Sequence, residues 1–237
     1  MFDWSILTHS SIIDNLLLLT PSVCDREITQ IEFHYLVKKH IKKFYPVKVS
    51  QSWSKIVGNF GTAVGGAYYS DLDEEDQTPI ELNFFYNPNR TRFKLTKRRF
   101  KQIAIVIADT LLHEIIHIRQ YRRRNFKSLP QYASTAARTK VREEQEYLGC
   151  TDEIDAYGFN IACELVTKFN GNQKSIIKFL NQDLKGLRRK GCWMMYLTAF
   201  KHDHNHEIIK RLKKKIIRYL PRAVSGKPFK SCDWICY

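Results

Sequence analysis

One stretch of the sequence constrains the fold more than any other. Residues 103–118, IAIVIADTLLHEIIHI, are apolar on nearly every face of a helix, and a helix that is hydrophobic all round is a buried one. The pattern predicts a long internal helix that is capped by Thr96 and runs to about Arg124. Burying ionisable groups without partners costs on the order of a few kcal/mol each. We therefore expect compensation for His113, Glu114 and His117, which are polar and titratable residues within this helix.

The spacing of these three residues suits a metal ion. Residues four apart lie on one helical face, so His113 and His117 can aim their imidazoles at one point, and zinc takes imidazole nitrogen at about 2.0–2.1 Å. Glu114 is rotated by about 100° from the first ligand and can reach a water on the metal without binding the metal itself. This is the HExxH pattern, in which the metal activates a water and the glutamate is the general base of peptide-bond hydrolysis. Two histidines hydrogen-bonded within a core remain the alternative.

Other acidic residues are candidates to complete or support such a site. A catalytic zinc usually has three protein ligands, and the segment 147–165, YLGCTDEIDAYGFNIACEL, opens a helix with acids. Glu153, in the first turn, is favoured as the third ligand over Asp152, and Thr151 or Asp152 is expected to cap the helix. Asp109, one turn before His113, could orient that histidine or make only a local helix contact. Asp155, which would point elsewhere, is the other candidate for a supporting role.

The order of elements predicts an α+β fold. A helix over 28–45 is followed by β-like segments at 47–53, 62–70 and 80–87, the last two as an antiparallel hairpin with a long solvated connector. Helices follow at about 137–147, 151–169, 174–184 and 206–219. The glycines of GNFGTAVGG lack the ending of a phosphate-binding loop and indicate a strand that bends or lies near another chain segment.

HEIIH, a gap of 35 residues and then EIDAYGFNIACEL together resemble the gluzincin pattern. The likeness is to compact ImmA/IrrE-type peptidases and to small metallopeptidase-like proteins of bacteriophages. The resemblance implies a zincin-like fold with a small, mostly antiparallel sheet packed on the active-site helix. It also implies Zn²⁺ bound by His113, His117 and Glu153, with Glu114 as the base. The strand at 80–87 would be the sheet edge along which a protein or peptide substrate aligns.

The family often has Asn or Asp where this chain has Tyr157. Tyr157 could instead donate to an oxyanion, as could Tyr147 or Tyr121, although each could equally be a structural tyrosine. A different zincin group, the SprT-like proteases, uses a third histidine, for which KHDHNH at 201–206 is the candidate. Asp203 or Asn205 as a cap before the basic helix is the favoured interpretation of that segment.

Charge suggests a second class of function. The chain has 39 Lys and Arg against 24 Asp and Glu, a net charge of +15, which suggests nucleic acid, an anionic surface or an acidic protein as partner. A non-catalytic zincin scaffold that binds nucleic acid or a virion protein is therefore the alternative to a peptidase. The cues are three basic runs: Arg122, Arg123 and Arg124; residues 188–190; and residues 210–215, with Lys213 and Lys214.

The remaining expectations concern organisation and location. We expect an N-terminal helical extension over 1–27 that ends near Pro21, a zincin-like core over 28–170, and a basic helical subdomain over 171–237. No membrane or export segment stands out, so the predicted location is cytoplasmic, within the host cell if the protein is phage-encoded. The six cysteines contain no CxxC pair and are expected to be reduced thiols.

Overall fold

The computed structural model describes residues 4, 7–54, 62–129, 131–135, 139–185 and 191–226. Helices and small sheets combine in an α+β arrangement, as predicted. The chain divides into two units, Met1–Phe126 with Pro228–Tyr237, and Lys127–Lys227. This division differs from the predicted boundaries, which followed residues 27 and 170. Among the described residues, no helix has the length and apolar character needed to span a bilayer.

The first unit contains all the strands found in the described residues. Its helices are α1 (His9–Leu17), α2 (Thr20–Val23), α3 (Gln30–Phe44), α4 (Ser70–Glu74) and α5 (Lys97–Arg123). Its strands are β1 (Glu27–Thr29), β2 (Lys48–Trp53), β3 (Thr62–Tyr68), β4 (Ile80–Tyr86) and β5 (Arg92–Lys94). The N-terminal helix was expected to end near Pro21, but α1 ends at Leu17, and Pro21 stands in the first turn of α2, where its missing N–H costs nothing.

The three-stranded sheet has the order β2-β4-β3. β3 and β4 pair antiparallel, which confirms the predicted hairpin, whereas β2 and β4 pair parallel. The connector of the hairpin holds α4 with a buried Asp73, so it is not merely a solvated loop. The prediction that the strand at 80–87 is a sheet edge is wrong, because β4 has a partner on each side. β1 and β5 form a separate antiparallel pair.

The predicted central helix is confirmed as α5. The Thr96 hydroxyl accepts from the Arg99 N–H and caps it, and its residues from Leu111 to Ile118 are all buried. Residues alternate between buried and half-buried along β4, as expected for a strand with one face against a core. β3, β4 and α1 all pack against α5. The HEIIH segment therefore lies in the apolar centre of this unit.

In its described residues, the second unit contains helices and no strand. It comprises α6 (Lys140–Gly149), α7 (Thr151–Lys168), α8 (Gln173–Leu180), α9 (Cys192–Ala199) and α10 (Glu207–Ser225). The other four helices pack against α7, and α10 makes the most extensive of these contacts. The predicted basic helix at 206–219 is thus confirmed as α10, with Ile208, Leu212 and Ile216 buried.

Two predicted helix caps in this unit are wrong. Cys150 alone separates α6 from α7 and serves as the N-cap of α7 without a side-chain hydrogen bond, in place of Thr151 or Asp152. His206 caps α10, where its Nδ1 accepts from the Ile208 N–H at 3.2 Å. Asp203 instead accepts from the Asn205 N–H at 2.8 Å within the preceding turn. The cysteines within the described residues are free thiols, as expected; Cys232 and Cys236 lie outside them.

Candidate metal centre

His113 and His117 face each other on α5, one helical turn apart. Their Nε2 atoms lie 3.1 Å apart, and the two side chains are buried. His117 Nδ1 lies 2.8 Å from the Gln120 amide oxygen, which can only accept, so Nδ1 carries the proton. In the neutral imidazole, the Nε2 atom of His117 therefore has its lone pair toward His113. Gln120 was not recognised from the sequence, although its position three residues after His117 indicated a possible contact.

This pair of nitrogens fits a bound zinc ion. Two ligands of a tetrahedral zinc at about 2.0–2.1 Å are separated by roughly 3.3 Å, close to the 3.1 Å between the two Nε2 atoms. Two lone pairs at that distance repel each other unless a proton or a cation lies between them. Neutral imidazole nitrogen is a preferred ligand of zinc, so the donor chemistry agrees with the geometry.

Glu114 is buried beside this pair and packs against β3. A Cβ atom added at Gly66 would lie 2.6 Å from Glu114 Oε1 and 2.7 Å from Thr110 Cγ2. An added side chain would force Glu114 and Thr110 to shift, so glycine at this position lets β3 lie close to the carboxylate. The expectation that a glycine of this strand lies near another segment is confirmed. Residues 58–61 of the glycine-rich stretch lie outside the described residues.

Asp109 has a partner that the sequence did not suggest. Its Oδ1 lies 2.9 Å from His9 Nε2, and both side chains are partly exposed. This contact ties α1 to the middle of α5. The proposed orientation of His113 by Asp109 remains a prediction.

Glu153 lies in the first turn of α7, among tyrosines from three helices of the second unit. Tyr157 follows it one turn later, Tyr147 comes from α6 and Tyr196 from α9. The Tyr157 ring is 6.5 Å from that of Tyr147 and 5.6 Å from that of Tyr196, edge to face in both cases. Partial burial raises the pKa of Tyr147 well above its ordinary value, and the negative charge of Glu153 is the second largest cause. Tyr147 is thus held as a neutral group near this carboxylate.

Tyr196 was missed by sequence reasoning because its segment, CWMMYLTA, is simply apolar. It is fully buried, and its hydroxyl has no hydrogen-bond partner in the described part of the chain. Burial, and then the charge of Glu153, raise the pKa of Tyr196. It therefore remains a neutral phenol at every physiological pH.

Asp155 directs its carboxylate to α10. Its Oδ1 accepts from Lys215 Nζ at 2.5 Å and from the Tyr219 hydroxyl at 3.0 Å. Burial and this carboxylate raise the pKa of Tyr219, which keeps its proton available for the hydrogen bond. The structure thus places Asp155 in the packing of two helices, whereas the sequence suggested a role beside the metal.

The basic residues singled out in the sequence have different environments. Arg122 donates from Nε to both oxygens of the buried Asp73, at 3.1 and 2.9 Å, and also pairs with it through Nη2. Arg124 lies over the Tyr121 ring, 4.9 Å from its centroid, and Arg123 is exposed. Lys213 donates to Asn181 at 2.9 Å, whereas Lys214 is exposed. Residues 188–190 lie outside the described residues.

Candidate ligand atoms for a metal ion are the imidazole nitrogens of His113 and His117 and a carboxylate oxygen of Glu153. Comparison with protein-family models, curated proteins and solved structures gives no match. The functional argument consequently depends on these residues alone.

Proposed function

We propose that the chain is a zinc-dependent metallopeptidase of the gluzincin type, with a zincin-like fold and with His113, His117 and Glu153 as zinc ligands. The observation that supports this most strongly is the buried pair of Nε2 atoms 3.1 Å apart on one helix. Buried imidazoles in that geometry need a shared cation or proton, and a glutamate directly follows the first of them, as hydrolytic chemistry requires.

A bound zinc ion would polarise the scissile carbonyl and lower the pKa of a water molecule. Glu114 would take the proton of that water and later deliver it to the leaving amine. Its burial favours this role, because electrostatic interactions are stronger where bulk water is excluded. The Gln120 amide would hold His117 in the tautomer that leaves Nε2 as a ligand.

The substrate would lie along β3. In the described part of the chain β3 is hydrogen-bonded to β4 on one side and to no strand on the other, and the strand adjoins Glu114 at Gly66. An unpaired strand edge offers main-chain donors and acceptors to an extended peptide. The proposed substrate is therefore an extended segment of a protein or peptide. β3 takes the place that the sequence had suggested for the strand at 80–87.

Zinc content and cleavage of a quenched-fluorescence peptide library test this function together. The wild-type protein should carry one zinc ion per chain and cleave peptides, and chelation should abolish cleavage. Glu114→Gln keeps the size of the side chain but removes the base, so it should retain zinc while kcat falls by about 10²-fold or more. Zinc without any cleavage would indicate a non-catalytic scaffold, and absence of zinc would refute the metal site.

A further inference from the structure

The exposed face of α10 concentrates positive charge. The helix contains seven cations and one acid, Glu207. Four of the cations are exposed and follow one another at helical spacing: Lys210, Arg211, Lys214 and Arg218. Like charges three or four residues apart on a helix repel one another. The repulsion within this stripe of four cations therefore destabilises the helix, and a bound polyanion would relieve that repulsion.

The opposite face of α10 is already occupied. Its apolar residues, among them Leu212 and Ile216, are buried in the contact with α7. The two helices approach closely at Gly158, where an added Cβ atom would lie 2.8 Å from Lys215 Cβ. Asp155 binds Lys215 and Tyr219 across the same contact. Lys215 thus holds α10 in place, and the four exposed cations are presented on a fixed support.

The packing of α10 against α7 indicates which class of anionic partner the exposed cations can bind. A helix that binds a membrane surface inserts its apolar face into the lipid boundary, but the apolar face of α10 is buried against α7. Contacts through charge alone, without sequence information, are typical of binding to a phosphate backbone. From Lys210 to Arg218 the helix rises about 12 Å, a length over which duplex DNA carries about seven phosphates. Each exposed cation can therefore find a phosphate.

We propose that the stripe formed by Lys210, Arg211, Lys214 and Arg218 binds the phosphate backbone of nucleic acid without regard to sequence. This binding does not depend on zinc or on peptidase activity.

Fluorescence anisotropy of the full chain with a labelled mixed-sequence DNA duplex of 20 base pairs tests the proposal. With four phosphates neutralised, the logarithm of the affinity should fall with a slope of about −3.6 against the logarithm of salt concentration. The apparent Kd should then rise about 150-fold between 50 and 200 mM KCl. Lys210→Gln/Lys214→Gln should halve the slope, so that the same change in salt raises its Kd only about 12-fold.

The matched control is Lys39→Gln/Lys43→Gln, which removes two exposed lysines of α3 with the same spacing and should keep the wild-type slope. Thermal melting confirms that both double variants fold, and Glu114→Gln should bind DNA like the wild type. Absence of binding at 50 mM KCl would overturn the proposal. An equal decrease in the salt slope of both double variants would also overturn it and would indicate that binding depends on the net charge of the protein. Preferential binding to phosphatidylserine vesicles, or to polyglutamate over DNA, would assign the stripe to a different partner.

Discussion

The substitution Gly66→Ala tests the placement of Glu114 with a single methyl group. The added Cβ would lie 2.6 Å from Glu114 Oε1 and 2.9 Å from Glu114 Cγ, whereas ordinary contacts begin at 3.4 Å. The carboxylate must therefore retreat by about 0.8 Å, or β3 must move away from α5. Overpacking of this kind costs about 1–3 kcal/mol of stability. Displacement of a catalytic group by about 1 Å can lower the rate by about 10²-fold.

Gly65→Ala is the matched control because it adds the same methyl group to the neighbouring residue on the opposite face of the sheet. Its Cβ would meet Phe85 Cε2 at 3.2 Å, a contact that a small ring movement relieves. Steady-state cleavage, zinc content and urea unfolding should be measured for both variants. We expect a large fall in kcat for Gly66→Ala alone, with zinc retained in both. Equal kcat values for the two variants would refute the placement of Glu114 beside β3.

The other predictions concern the support of the site and the stability of the two units. Gln120→Leu removes the acceptor of His117 Nδ1 and should weaken zinc binding by about 10–100-fold in a chelator competition, whereas the exposed Gln102→Leu should not. Asp155→Ala leaves Lys215 and Tyr219 without their shared acceptor and should lower the free energy of unfolding in urea by about 1–3 kcal/mol; an unchanged midpoint would contradict the proposed link between α7 and α10. Burial lowers the pKa of His34 and of His204. The unfolded chain consequently binds more protons, and stability should fall as pH drops below about 6.5. Denaturation midpoints of His204→Gln across this range should fall less steeply than those of the wild type.

The central helix was predictable because its signal is local. The apolar residues of 103–118 leave no polar face, and Thr96 is a strong N-cap, so the bounds of α5 agree with the expected ones. The facing of His113 and His117 follows from helical geometry alone. These features depend on residues within one turn of each other and can therefore be predicted from the sequence.

The position of β4 could not be predicted in the same way. Alternation along a strand shows which face is buried, but it does not show which strands pair with its edges. The parallel pairing of β2 with β4 joins segments that are not consecutive strands in the chain. The resemblance suggested a sheet edge at 80–87, whereas β4 lies between β2 and β3.

Contacts with residues distant in the sequence also determine the roles of single charged residues. Arg122 stands in a basic run, yet its guanidinium binds Asp73, 49 residues away. Asp155 stands beside the expected metal ligand, yet its partners come from α10, 60 and 64 residues further along the chain. A run of charges shows the sign of a surface, whereas the role of each charge depends on what the fold brings to it.

The zinc dissociation constant of Glu153→Ala, set against that of Asp152→Ala, tests the central claim most directly. Both acids lie in the first turn of α7, so the two variants disturb the same helix end to a similar degree. If Glu153 is the third ligand, its removal should weaken zinc binding by more than the roughly 100-fold that loss of a supporting contact can cause, and Asp152→Ala should bind zinc like the wild type. Wild-type affinity in Glu153→Ala, or an equal loss in both variants, would contradict a site built from His113, His117 and Glu153.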